Sequence, residues 1–160
     1  MGSGETRTSI PAKPLERIWL GAGAVAAAIA LVVSMAALAL AGSTFTVGSA
    51  SNGHLHKRVL IETHGRTLYA LSPETAGHLL CKSSECFEVW PPLTVSSSGA
   101  RLTSGPGVHG HLGLLARGRG KWQVTFGGLP VYRYSGDAAA GQANGQGIHS
   151  FGGIWHAVGP

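Results

Sequence analysis

Charge is scarce in this 160-residue chain: Asp, Glu, Lys and Arg make up 12% of it, and only seven residues are acidic. Cysteine is scarcer still, with two. They form no Cys-x-x-Cys-His run, so covalent attachment of a c-type haem is excluded. Gly-x-Ser-x-Gly, His-Glu-x-x-His and Gly-Lys-Ser/Thr motifs are missing, and no serine–histidine spacing commits to a catalytic triad. No dense basic run alternates with aromatics, which speaks against nucleic acid as a partner. The apolar fraction, 44%, is nevertheless too high for wholesale disorder. What abounds is glycine, 25 residues, which suits tight turns and close backbone approaches.

Residues 18–41 carry no charged side chain, and their core, 22–41, is Ala, Val, Leu, Ile, Met and Gly with one Ser. A transmembrane helix needs roughly 20 apolar residues, and this run reaches that length. Lys13 and Arg17 precede it, so residues 1–17 are expected in the cytoplasm and everything after residue 41 outside. Ala39-Leu-Ala41 before Gly42 also satisfies the small-x-small rule for signal-peptide cleavage, although a signal core is usually only about 7–15 residues long. The segment is thus a signal anchor or a signal peptide: the protein is held at the cell membrane or, if cut after Ala41, secreted. Gly21-Ala-Gly23 inside it mimics half of a dinucleotide fingerprint, but no strand precedes it.

Beyond residue 41 the chain carries nine Lys/Arg (Lys57, Arg58, Arg66, Lys82, Arg101, Arg117, Arg119, Lys121, Arg133) against five acids (Glu62, Glu74, Glu85, Glu88, Asp137), a net of 9 − 5 = +4. Anionic envelope polymers or lipid headgroups are the expected neighbours. Residues 42–56, rich in Gly, Ser and Asn, read as a flexible linker. A domain over 57–160 follows, with a strand at 59–63, a two-residue turn at His64-Gly65 and a strand at 66–71. The design returns as a strand at 121–126, a Gly127-Gly128 turn and a strand at 129–134, with another strand candidate at 111–116. Residues 141–153 read as a loop. A shift of 63 carries Gly65, Leu68, Tyr69, Leu71, Ser72 and Glu74 onto Gly128, Val131, Tyr132, Tyr134, Ser135 and Asp137, and a shift of 65 carries Val89-Trp90 onto Ile154-Trp155. The expected fold is mainly β: a small domain of two tandem β-hairpin repeats, at about 57–97 and 121–160, behind one N-terminal hydrophobic helix. A lone hairpin is marginal in water, so the copies are expected to bury a shared face.

Tyr132-Arg-Tyr134-Ser-Gly-Asp137 fits the pattern Tyr-x-aromatic-x-x-Asp. It resembles a family of bacterial predicted lipoproteins and secreted repeat proteins of unknown function. Gly65-Arg-Thr-Leu-Tyr69, Cys86-Phe-Glu-Val-Trp90-Pro-Pro-Leu93, Gln123-Val-Thr-Phe-Gly-Gly-Leu-Pro-Val-Tyr132, Asn144-Gly-Gln-Gly147 and Gly153-Ile-Trp155-His-Ala-Val158 are similar to it too. The resemblance implies export and a fold built from this repeat, and it implies no activity. The chain departs from the pattern in lacking the lipoprotein cysteine, in having Leu71 and Glu74 in its first copy, and in placing four residues between Cys81 and Cys86.

Outside the cytoplasm, Cys81 and Cys86 suggest a disulfide, and the alternative is a soft-metal pair with His78. His54/His56 and His109/His111 are His-x-His pairs, candidate copper or zinc ligands if held on strands and merely solvated if in flexible stretches. His149 and His156 read as local hydrogen-bonders. Asp137 is expected to organise the 141–147 loop rather than to act catalytically. Tyr69, Tyr132, Tyr134, Trp90 and Trp155 read as core, with a stacking platform as the alternative. No cofactor is implied and no protein partner is indicated. These features favour a non-enzymatic, extracytoplasmic module with a binding or structural role at the envelope. The alternatives are a metal or redox accessory protein and, ranked lowest, a hydrolase using Asp137 with His149 or His156.

Overall fold

A computed structural model of the protein describes Met1 and residues 45–160. The apolar run at 18–41 lies outside the described residues, as does the Ala39-Leu-Ala41 sequence that fits the cleavage rule. Among the described residues no helix is long and apolar enough to cross a membrane.

The unit Ser43–Pro160 is mainly β. Its elements in order are β1 (Gly48–Asn52), β2 (Lys57–Ile61), β3 (Tyr69–Ser72), α1 (Ser84–Val89), β4 (Thr94–Val95), β5 (Leu112–Ala116), β6 (Trp122–Phe126), β7 (Leu129–Pro130), β8 (His149–Ser150) and β9 (Gly153–Ala157). They form three antiparallel sheets: β1-β2, β3-β9-β8, and β4-β6-β5 with β7 also on β6.

Two expectations need correction. The linker assigned to 42–56 contains β1, which pairs with β2 from Gly48↔Ile61 to Asn52↔Lys57. Its sequence, Gly-Ser-Ala-Ser-Asn, has no apolar alternation, so only tertiary pairing makes it a strand. The hairpin turn after β2 is also longer than two residues. Gly65 N donates to Glu62 O and Glu62 N to Arg66 O, enclosing three residues, of which only Gly65 has positive φ (79°). A two-residue turn at His64-Gly65 needs φ > 0 at both centres for type I′ or at the first for type II′, and His64 does not supply it. Gly127 and Gly128, at φ 56° and 82°, do, and there the two-residue turn forms.

The two halves correspond closely. Leu60 N donates to Val158 O at 2.8 Å, and Val124 N, 64 residues on, donates to Leu93 O at 2.8 Å. Val158 N donates to Leu68 O at 3.0 Å, and Leu93 N donates to Val131 O at 3.0 Å. The strand that closes each half therefore pairs with the hairpin of the other. β9 lies along β3, with Leu71 opposite Trp155, while the segment through Pro92 and β4 lies along Tyr132 and β6. At the crossing, Tyr69 N donates to Tyr132 O (2.8 Å) and Tyr132 N to Tyr69 O (2.9 Å).

Around this crossing sits the core. Trp90 and Trp155, both fully buried, stack at 3.8 Å with 5° between planes, and Tyr69 and Tyr132 meet their own half's tryptophan edge-on at 5.5 and 5.1 Å. Each such contact adds about 0.5–1.5 kcal/mol to area burial. A second cluster, Val47, Leu60, Leu68, Val124 and Val131, again draws on both halves. Cys81 and Cys86 are buried and bridged, with Cα atoms 5.7 Å apart. Cys86 reaches the bridge from α1, whose first turn is capped by Ser83 Oγ accepting from Cys86 N at 3.3 Å.

Candidate functional site

The acid that follows each repeat's tyrosine is buried: Glu74 is 2% exposed and Asp137 1%. A buried carboxylate must have hydrogen-bond partners, and here they are exchanged between halves. Tyr69 Oη of the first half donates to Asp137 Oδ2 at 2.6 Å, and Tyr132 Oη of the second donates to Glu74 Oε2 at 2.9 Å. The other oxygen of each carboxylate caps a loop of its own half. Glu74 Oε1 accepts from Leu80 N and Cys81 N at 2.9 and 3.1 Å, and Asp137 Oδ1 accepts from Asn144 N at 2.9 Å. Burial, and then the hydrogen bond to the Asp137 carboxylate, push the Tyr69 phenol far above its ordinary value. Burial also raises Tyr132, reinforced by the charge on Glu74 and opposed by that on Arg117.

Asp137 thus organises the glycine-rich loop, and Tyr132 and Tyr69 are core. Tyr134 is half-buried and packs on Trp90 at 4.5 Å. His149 and His156 are exposed, and neither is a hydrogen-bond partner of Asp137. His54 and His56 lie in the β1–β2 turn, His109 and His111 before β5, and all four are exposed. Among the described residues no three His, Cys, Asp or Glu are grouped to hold a metal ion. The loop at 141–153 is better anchored than its composition indicates. Asn52 Nδ2 donates to Gly141 O at 2.9 Å, Thr67 Oγ1 to Gln142 O at 2.6 Å, and β8 forms a hairpin with β9.

The sequence reading missed a cleft of about 680 Å3 beside α1, lined by Lys82, Arg117, Arg119, Lys121 and Arg133 together with Phe87, Pro91 and Pro92. No carboxylate is among its lining residues. Arg117 is held from three sides: its Nε donates to Gln123 Oε1, its Nη2 donates to Tyr132 Oη, and its guanidinium lies 5.4 Å from the Phe87 ring centroid. The one signal in the sequence was Arg117-Gly-Arg119-Gly-Lys121, which reads as a turn but carries three cations in five residues.

Burial sharpens this charge. Of the five acids beyond residue 41, Glu62, Glu74 and Asp137 are buried, leaving Glu85 and Glu88 exposed, whereas none of the nine Lys/Arg is buried. The surface is therefore more basic than the net of +4 indicates.

Residues 113–159 match the family model Lipoprotein_15, a secreted repeat of unknown function. The matched span begins in β5 and ends beyond β9, so it coincides with the second half, and it fits an extracytoplasmic domain. No curated protein and no solved structure matches the chain.

Proposed function

We propose that this protein is a non-enzymatic module facing the extracytoplasmic side of the envelope, held there or released from there by its N-terminal segment, and that it acts by binding. The observation that carries this reading is the state of the two motif carboxylates. Both are buried, and the oxygens of both are taken up by a phenol of the opposite half and by backbone N–H groups of their own loops. A catalytic carboxylate needs access to substrate and a partner that splits its titration from its neighbour's. These two instead hold loops and halves together. The match to a secreted repeat supports the location, and the excess of exposed cations supports an anionic partner.

A membrane-impermeant amine reagent, applied to intact cells and read by mass spectrometry, tests the location. Lys57, Lys82 and Lys121 are exposed and should all be labelled. Failure of all three to label while lysed cells label normally would place the domain elsewhere. Turnover of a substrate that Asp137→Asn abolishes without lowering the melting temperature would overturn the non-enzymatic role.

A further inference from the structure

We propose that the cleft between α1, Pro91–Pro92 and the β5–β6 turn is the binding site for a linear oligoanion, a chain of closely spaced phosphodiester or carboxylate groups of the kind that makes up acidic envelope polymers. The proposal rests on the reading of the domain as a binding module.

Five of the domain's nine Lys/Arg converge on this one concavity. Its volume, about 680 Å3, lies within the range of ligand sites, roughly 300–1,000 Å3. Arg117 is preorganised by Gln123, Tyr132 and Phe87, so it loses little side-chain freedom on meeting an anion. Arg133 lines the cleft half-buried, and its Nε–H is buried without a hydrogen-bond partner, an unsatisfied donor that costs free energy. Arg119 and Lys121 stand exposed at the rim.

Both halves wall the cleft, Lys82, Phe87, Pro91 and Pro92 coming from the first, but its arginines belong to the second half alone. With Leu60 equivalent to Val124, the β1–β2 and β5–β6 registers place Asn52 where Arg117 stands, and the Tyr69–Tyr132 equivalence places Ala70 where Arg133 stands. Neither arginine is therefore demanded by the fold they share with the first half. A chain suits the cleft better than a lipid surface does. Arg117 and Arg133 are half-buried in a recess, where a planar layer of headgroups cannot reach them but a narrow chain can.

The test is titration of the full-length protein with a glycerol-phosphate oligomer, an oligogalacturonate, a neutral dextran oligomer and phosphatidylglycerol vesicles. At least one anionic oligomer should bind, and the dextran should not. For a chain with the charge spacing of a single-stranded polyelectrolyte, roughly four contacts releasing about 0.7 counterion each weaken binding about fiftyfold between 50 and 200 mM salt. Arg119→Ser with Lys121→Ser should cost at least tenfold, and so should Arg133→Gln. Lys57→Ser with Arg101→Ser, which removes the same charge elsewhere, should cost less than twofold. Circular dichroism confirms that each variant is folded, and the exposed pair at 119 and 121 keeps the test alive if Arg133→Gln does not fold. Which oligomer binds distinguishes the phosphodiester source from the carboxylate source. Equal losses in the cleft and control variants would overturn the site in favour of diffuse charge. Binding to vesicles alone would overturn the oligoanion while leaving the binding-module reading intact. Binding to none of the four would overturn the site and remove the anionic partner from that reading as well.

Discussion

The two halves of this domain share a scaffold and differ in what they attach to it. Each has a hairpin, a buried Tyr, a buried acid, a buried Trp and a closing strand, although Trp155 lies on its closing strand and Trp90 ahead of its own. The first half adds the Cys81–Cys86 bridge, and beside its Ala70 lies a smaller cavity, about 360 Å3, lined largely by apolar residues such as Leu71, Pro73, Leu129 and Val158. The second half puts Arg133 at the position of Ala70 and supplies four of the five cations of the cleft. Even the tryptophans diverge: Trp155 Nε1 donates to Ser150 Oγ at 3.0 Å, while the buried Trp90 Nε1 has no partner. The shared residues are those that join the halves, and the divergent ones line a local loop or the cleft, although Arg117 also donates to Tyr132 Oη at the joint. Binding chemistry has room to change in one half because the exchanged hydrogen bonds leave the joint unaffected.

The comparison breaks most completely if the halves are separated. Residues 45–101 and 102–160, made as two chains, should each lack near-ultraviolet circular dichroism alone and regain it on mixing, because each closing strand pairs with the other hairpin. A folded monomer of either piece would show that a half is self-sufficient. Next in size, Trp90→Ala and Trp155→Ala should each destabilise by about 3–5 kcal/mol in denaturant unfolding, since each empties one side of the central stack. Trp155→Ala should cost the same or slightly more, because it also gives up the hydrogen bond to Ser150 Oγ, whereas Trp90→Ala removes an N–H that has no partner. Reducing the disulfide should cost about 2 kcal/mol, as expected for so short a loop, and should increase hydrogen exchange around α1 while leaving β5 and β6 nearly unchanged.

The smallest effects are those of pH. Tyr69 and Tyr132 have raised folded-state values, so the stability they contribute is complete below the unfolded phenol value of about 10 and is lost as pH rises beyond it. In a Tyr134→Phe background, absorbance at 295 nm should stay flat through the ordinary phenol range until the protein unfolds. Glu62 behaves oppositely. Burial alone would raise it, but hydrogen bonds from the His64 side chain and from the Arg66 and His64 backbones hold it below its usual value. Its contribution is present above the unfolded value of about 4.3 and fades as pH falls through the folded one. Glu62→Gln should flatten the acid limb of the stability curve, and no change there would show that the 62–66 turn carries none of it.

Local chemistry made much of this legible. Gly127-Gly128 announced its turn because only glycine takes positive φ freely at both centres. The Tyr/acid and aliphatic-Trp correspondences announced a shared core, and the aromatics are in it. What stayed hidden is non-local. Alternation marks a strand but does not say which hairpin it joins, so nothing in residues 153–157 reveals that they pair with 69–72 rather than with the β6–β7 hairpin of their own half. β1 stayed hidden because its side chains carry no hydrophobic pattern. The cleft escaped because Lys82, the 117–121 turn and Arg133 meet only after the closing strands have crossed.

That crossing imposes a rule of parity. A unit whose final strand is always accommodated by another unit's hairpin is complete only in pairs, and two in one chain make a closed set. If units exchange only reciprocally, as these two do, a chain with three would hold one vacant hairpin edge and one homeless strand, which an odd unit from a second chain would satisfy. The number of repeats in such a chain therefore sets whether it stands alone or seeks a copy of itself.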